Sequence, residues 1–167
     1  MRRILFALLA VVLLVSCTVS YKFNGASIDY TKTKSITITN FPIKATLVYP
    51  PLGIAFNEGL KDIYTQQTRL NFVRSGGDID LQGEITGYDI TPQAVKQDAY
   101  ASETRLTITV KVRYTNRAAP DKDFDRSFSA YRDFSATKLL TDVQDQLIEE
   151  IVAELTESIF NATVANW

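Results

Sequence analysis

Apolar and polar positions alternate along this chain in several registers, and each register predicts an element. Ser35-Ile36-Thr37-Ile38-Thr39 alternates with period two in β-branched residues, the pattern of a half-buried strand, and Phe41-Pro42 closes it. After Pro50-Pro51, which are expected to block regular structure, Phe56, Leu60, Ile63, Tyr64 and Gln67 recur at helical spacing. That predicts a helix over residues 54–67, with Asn57, Glu58, Lys61 and Asp62 on its polar face. Leu70-Asn71-Phe72-Val73 reads as a short apolar strand, and Ser75-Gly76-Gly77-Asp78 as a turn. Ile79, Leu81, Gly83, Ile85 and Gly87 then share one face of a long strand, with Asp80, Gln82, Glu84 and Thr86 on the other.

The clearest alternation spans residues 103–114, where Leu106, Ile108, Val110, Val112 and Tyr114 interleave with Arg105, Thr107, Thr109, Lys111 and Arg113. Pairing the two long strands about the centre of their connection sets Glu84 opposite Lys111 and Gln82 opposite Arg113. Phe124 to Phe134 forms a further strand, with Phe124 and Phe128 on one face. From about Leu139 to Phe160 a stripe of Leu140, Val143, Leu147, Ile148, Ile151, Val152, Leu155 and Ile159 predicts an amphipathic helix, capped by Thr141 or Asp142. Its opposite face, Asp145, Glu149, Glu150, Glu154 and Glu157, reads as a solvated surface. The expected fold is α+β: a two-layer sandwich of a mainly antiparallel four-stranded sheet with two helices packed on one face. The face carrying Arg105, Lys111 and Arg113 is then left to water or to a partner.

A different pattern opens the chain. Met1-Arg2-Arg3 precedes a twelve-residue apolar run, Ile4 to Val15, too short for a spanning helix and suited to a secretory signal peptide. The run closes on Leu14-Val15-Ser16-Cys17, which resembles the lipobox of bacterial lipoproteins, where the cysteine takes up diacylglycerol and acyl chains such as palmitate and becomes the first mature residue. Cys17 is the single cysteine of the 167 residues, so no disulfide within the chain can use it. Lipidation accounts for it, and more than one acyl chain gives a stable anchor without a spanning helix. The expected organisation is a signal peptide over residues 1–16, a lipid-anchored tether over 17–34 and one domain over 35–167. No Asp follows Cys17, which in lipoprotein sorting favours the outer membrane, with the domain on its periplasmic face.

Composition narrows the chemistry. Without Arg2 and Arg3, the 18 basic residues become 16 against 19 acidic ones, and this balance does not suit a nucleic-acid partner. The absence of histidine, with the one thiol consumed by lipid, removes the common metal ligands, the Ser-His triad and the Cys-His pair. Ser75-Gly76-Gly77 lacks the Lys and following helix of a phosphate loop, and Asp78, Asp80 and Asp89 lie along one strand, the arrangement of solvated acids. Asn161-Ala162-Thr163 matches a glycosylation sequon by chance. The expectation is therefore no catalytic residue, no cofactor and no metal.

Several stretches together carry a resemblance. The lipobox, Tyr21-Lys22-Phe23-Asn24-Gly25-Ala26-Ser27-Ile28, Leu47-Val48-Tyr49-Pro50-Pro51-Leu52, Gly83-Glu84-Ile85-Thr86-Gly87-Tyr88, Arg105-Leu106-Thr107-Ile108-Thr109-Val110 and the closing Ile159-Phe160-Asn161-Ala162-Thr163-Val164-Ala165-Asn166-Trp167 are similar to the LptE family of lipopolysaccharide-assembly lipoproteins, in its Bacteroidetes-type form. The resemblance implies an outer-membrane lipoprotein that plugs the LptD β-barrel and helps deliver lipopolysaccharide to the outer leaflet. It implies two helices against a four-stranded sheet and names no contact residue here. On charge alone, Arg105, Lys111 and Arg113 are the candidates for lipopolysaccharide phosphates or a partner. Two other readings follow from the same residues. One is a generic periplasmic lipoprotein binding or scaffold module, pilotin-like, for another envelope complex; the other is a lipid-anchored carboxylate hydrolase, for which no motif is present.

Overall fold

The computed structural model describes residues 28–93 and 102–164. The chain runs β1 (Ser35–Ile38), α1 (Pro50–Gln67), β2 (Asn71–Phe72), β3 (Ile79–Pro92), β4 (Glu103–Asn116), a 3-10 turn (Pro120–Lys122), β5 (Phe124–Ser135) and α2 (Leu140–Thr163). The strands form one sheet in the order β2-β1-β3-β4-β5. The class is the α+β sandwich expected, but with five strands in place of four. The fifth is the two-residue β2, parallel to β1 at the sheet edge. β1 is also parallel to β3, because α1 carries the chain back to the starting end of the sheet between them. The β3-β4-β5 part is antiparallel.

Both helices lie on one face and run in the same direction. Tyr49 before α1 bonds Asp145 early in α2, Gly59 lies against Val152 at mid-length, and Tyr64 meets Phe160 edge-on near both C-termini, ring centroids 5.2 Å apart. Between helices and sheet lies the core: Ile36, Phe41, Leu52, Phe56, Leu60, Tyr64, Ile79, Leu81, Ile85, Leu106, Ile108, Val110, Val112, Ile151 and Ile159 are all buried. The α2 stripe read from the sequence is the packed one, with Leu140 and Val143 half-buried at its start.

Five local expectations change. Pro50-Pro51 do not block the helix but begin it, since the first-turn N–H groups have no intrahelical acceptor and a ring in their place loses nothing. Asn57, expected on the polar face, is buried: its amide donates to the carbonyls of Phe41 (3.1 Å) and Gly53 (2.7 Å) and accepts from Phe41 N–H (2.8 Å). It satisfies the backbone of the loop that drives Phe41 into the core. The β3 pattern breaks at Thr86. Ile85 faces Val110 and Gly87 faces Thr109, so one extra residue is bulged out and the faces exchange. Gly87 therefore lies on the outer face, not the inner one, and Tyr88 is turned inward and buried.

Neither Thr141 nor Asp142 caps α2, whose N-cap is Leu139 with no side-chain bond. Lastly, the end of the stretch expected as tether is packed on the domain. Thr33 is buried, and Ile28 and Tyr30 lie half-buried against the core. The remainder of that stretch, with Cys17 and the signal segment, lies outside the described residues, as do residues 165–167.

Phe41 also explains a glycine. A Cβ at Gly83 would meet the Phe41 ring at 2.3 Å and the Lys111 carbonyl at 2.1 Å, so β3 needs glycine where the ring packs against it.

Candidate functional site on the outer sheet face

The face turned away from the helices is built by alternation alone. β4 places Arg105, Thr107, Thr109, Lys111 and Arg113 there, and the register sets Gln82 opposite Arg113 and Glu84 opposite Lys111 on β3, as the sequence indicates. On the other side β5 places Asp133 opposite Arg105 and Asp125 opposite Arg113. The ion pairs form toward β5. Arg105 makes a two-pronged contact with Asp133 (2.7 and 2.8 Å) while its guanidinium lies 3.6 Å from the centre of the Tyr131 ring. Lys111 (3.5 Å) and Arg113 (3.1 Å) share the one carboxylate of Asp125.

Sequence reasoning set Glu84 opposite Lys111 and Gln82 opposite Arg113, as the register has them, but missed Asp125 and Asp133 as the ion-pair partners. The signal was present in Asp125-Arg126 and Arg132-Asp133, but the β4-β5 register is needed to read it. The Arg113 guanidinium holds the Asp125 carboxyl below the usual carboxylate range, with Lys111 adding to it, and Arg105 does the same to Asp133. In return Asp133 pushes Arg105 further up. All of these groups reach solvent, so the pairs set position more than stability.

A shallow groove of about 450 Å³ lies at this end of the face, lined by Thr39, Gln82, Gly83, Glu84, Lys111, Arg113 and Asp125. Its two cations and two carboxylates balance formally. Lys111 and Arg113 could serve an anion only in competition with Asp125, which both already contact. Arg113, with 62% of its side chain exposed, is the readiest of the three candidates; Arg105, clamped by Asp133 and stacked on Tyr131, is the least ready.

The other acids are committed elsewhere. Asp78 accepts from the N–H of Lys34 (2.8 Å) and Ser35 (3.0 Å) and from the Ser35 hydroxyl (2.9 Å). The Lys34 amide, then Ser35, holds its carboxyl below the usual range, which makes it a clamp on the chain entering β1. The acidic face of α2 is not merely solvated, as the sequence reading had it. Glu150 (3.0 Å) and Glu154 (2.6 Å) grip Arg132 of β5, and Asp145 accepts from the Tyr49 hydroxyl (2.7 Å). Thr163 of the sequon is buried and bonded to Tyr64, whose phenol burial pushes up. Beyond the sheet, a second groove of about 460 Å³ runs between the helices over Ala55, Gly59, Ile63, Ile148 and Val152. Among the described residues no helix is long and apolar enough to cross a membrane.

The α+β fold of this chain is shared by solved bacterial proteins, two of them described as lipoproteins. A minor lipoprotein from Acinetobacter baumannii superposes with a TM-score of 0.52 at 15% identity, covering 76% of this chain and 89% of that one. A hypothetical protein from Chlamydia trachomatis gives 0.52 at 8% identity over 78% and 97% of the two chains. An uncharacterized lipoprotein B from Nitrosomonas europaea gives 0.50 at 14% over 76% and 79%. No curated protein matches the sequence. The chain belongs to the LptE lipopolysaccharide-assembly family, whose model matches residues 33–163.

Proposed function

We propose that this protein is a lipid-anchored component of the lipopolysaccharide translocon at the outer membrane. It serves there as plug and assembly partner of an LptD-type β-barrel, on the periplasmic side. The observation that carries this reading is the family match, which spans every strand and both helices, from β1 to the end of α2. Leu14-Val15-Ser16-Cys17 supports the anchor: Cys17 is the lipidated residue, and its acyl chains hold the domain at the membrane. The role is stoichiometric and non-catalytic. Nothing in it calls for a cofactor, and no nucleic acid is involved.

Arg105, Lys111 and Arg113 are proposed as the contacts for lipopolysaccharide phosphates or for the barrel. Lys111 and Arg113 lead, because they line the groove together and their side chains are more exposed than that of Arg105. The test is an affinity-tagged copy purified from solubilised outer membrane. It is expected to bring down one barrel protein in near-equal amount through an interface larger than the roughly 1,600 Å² of a standard complex. Depletion is expected to lower surface lipopolysaccharide. No barrel in the eluate, with surface lipopolysaccharide unchanged, would refute the reading.

A further inference from the structure

We propose that the free edge of β5 is a strand-addition site for an extended, acidic segment of a partner polypeptide. β5 ends the sheet, and its twelve residues pair with β4 without a bulge. Backbone directions follow from the hydrogen bonds. Ala136 N–H donates to the Ser102 carbonyl (3.0 Å), which makes the even-numbered residues of β5 the ones bonded to β4. The Ser129 hydroxyl, reaching the Ile108 carbonyl that points to β5, agrees. The N–H and C=O groups of Asp125, Ser127, Ser129, Tyr131 and Asp133 therefore point outward, in the plane of the sheet. Among the described residues only the Tyr131 carbonyl is engaged there: it accepts from the Arg132 guanidinium (2.8 Å).

Long regular edges of this kind are ordinarily blunted by charges, proline or bulges. β5 has neither proline nor bulge, and three of its four charges already have ion-pair partners within the molecule, although Arg132 also covers the outward Tyr131 carbonyl. Asp125 is held by Lys111 and Arg113, Asp133 by Arg105, and Arg132 by Glu150 and Glu154 of α2. A strand approaching the edge meets pairs already neutralised. Arg126 is different. Among the described residues it has no carboxylate partner, and its guanidinium sits 4.5 Å from the Phe124 ring and 4.9 Å from the Phe128 ring, fixed at the edge by cation–π contact. The side chains define the occupant: backbone pairing selects an extended segment, Phe124 and Phe128 select apolar residues on the helix-side face, and Arg126 selects a carboxylate among them. A second copy in the antiparallel register that matches Phe124 with Phe134 sets Arg126 against Arg132 and so offers Arg126 no carboxylate.

The probe is a synthetic ten-residue peptide of alternating Val and Thr with one central Glu, added to the full chain in detergent, with amide exchange followed residue by residue. Saturable protection of Asp125, Ser127, Ser129, Tyr131 and Asp133 is expected. Binding should weaken by about tenfold or more when Glu is replaced by Lys in the peptide. Arg126→Glu should invert that preference. Ser127→Pro removes an outward N–H without touching the β4 ladder, so it should abolish protection while circular dichroism is unchanged. Absence of protection, protection located in the groove between the helices, or concentration-dependent protection of the same amides without peptide, the mark of a second copy, would each overturn the proposal. None of these outcomes depends on whether a barrel is recovered.

Discussion

Ile151→Ala tests whether α2 is held by its own sheet. Ile151 is fully buried in the middle of the stripe that faces the strands. The substitution removes the equivalent of three methylene groups, about 2.4 kcal/mol of transfer free energy at roughly 0.8 kcal/mol each. Leu155 and Ile108 belong to the same packed core, so the site collapses only in part, and a cavity term raises the expected loss to about 3–4 kcal/mol. The assay is urea unfolding followed by circular dichroism, with Glu150→Gln as control. Glu150 is exposed and shares Arg132 with Glu154, so the control is expected to cost no more than about 1 kcal/mol. An unchanged slope with a lower midpoint for Ile151→Ala would place the effect in stability and not in the size of the unfolding unit. Equal small losses for both variants would refute the assignment of α2 to the sheet.

Asn57→Ala leaves the Phe41 N–H and C=O buried without partners, and a loss of about 2–6 kcal/mol is expected in the same titration, at roughly 1–3 kcal/mol per orphaned group. Asp78→Ala is expected to destabilise at neutral pH; because the folded-state carboxyl is held below its ordinary range, the wild-type advantage exists above about pH 4 and fades as acid protonates the clamp. Midpoints for the two proteins measured from pH 7 down to pH 2 should therefore converge, and a constant gap would refute the clamp. Cys17→Ser should release the protein from the carbonate-washed membrane fraction while leaving the circular dichroism of the domain intact; persistence on membranes in cells without a barrel partner would refute lipidation.

Much of the architecture was legible because alternation and helical stripes are local records of burial. A residue facing the core must be apolar whatever lies opposite it, so Leu106 to Tyr114 and Leu147 to Ile159 announce their faces without reference to the rest of the chain. Even the pairing of Gln82 with Arg113 and Glu84 with Lys111 follows from a symmetric connection between two regular strands. What tertiary structure alone decided are matters of neighbour and parity. One bulged residue at Thr86 exchanges the faces of everything after it, so Tyr88 turns to the core and Gly87 to the outer face, although the sequence pattern up to Ile85 is regular. Asn57 looks polar and is buried, because the backbone it satisfies belongs to Phe41, sixteen residues away. The cations of β4 turn to β5 and away from Glu84, since an ion pair depends on where side chains lead in three dimensions and not only on which residues stand opposite. For the same reason the free edge of β5, with Arg126 left unpaired among the described residues, appears only once strand order is known.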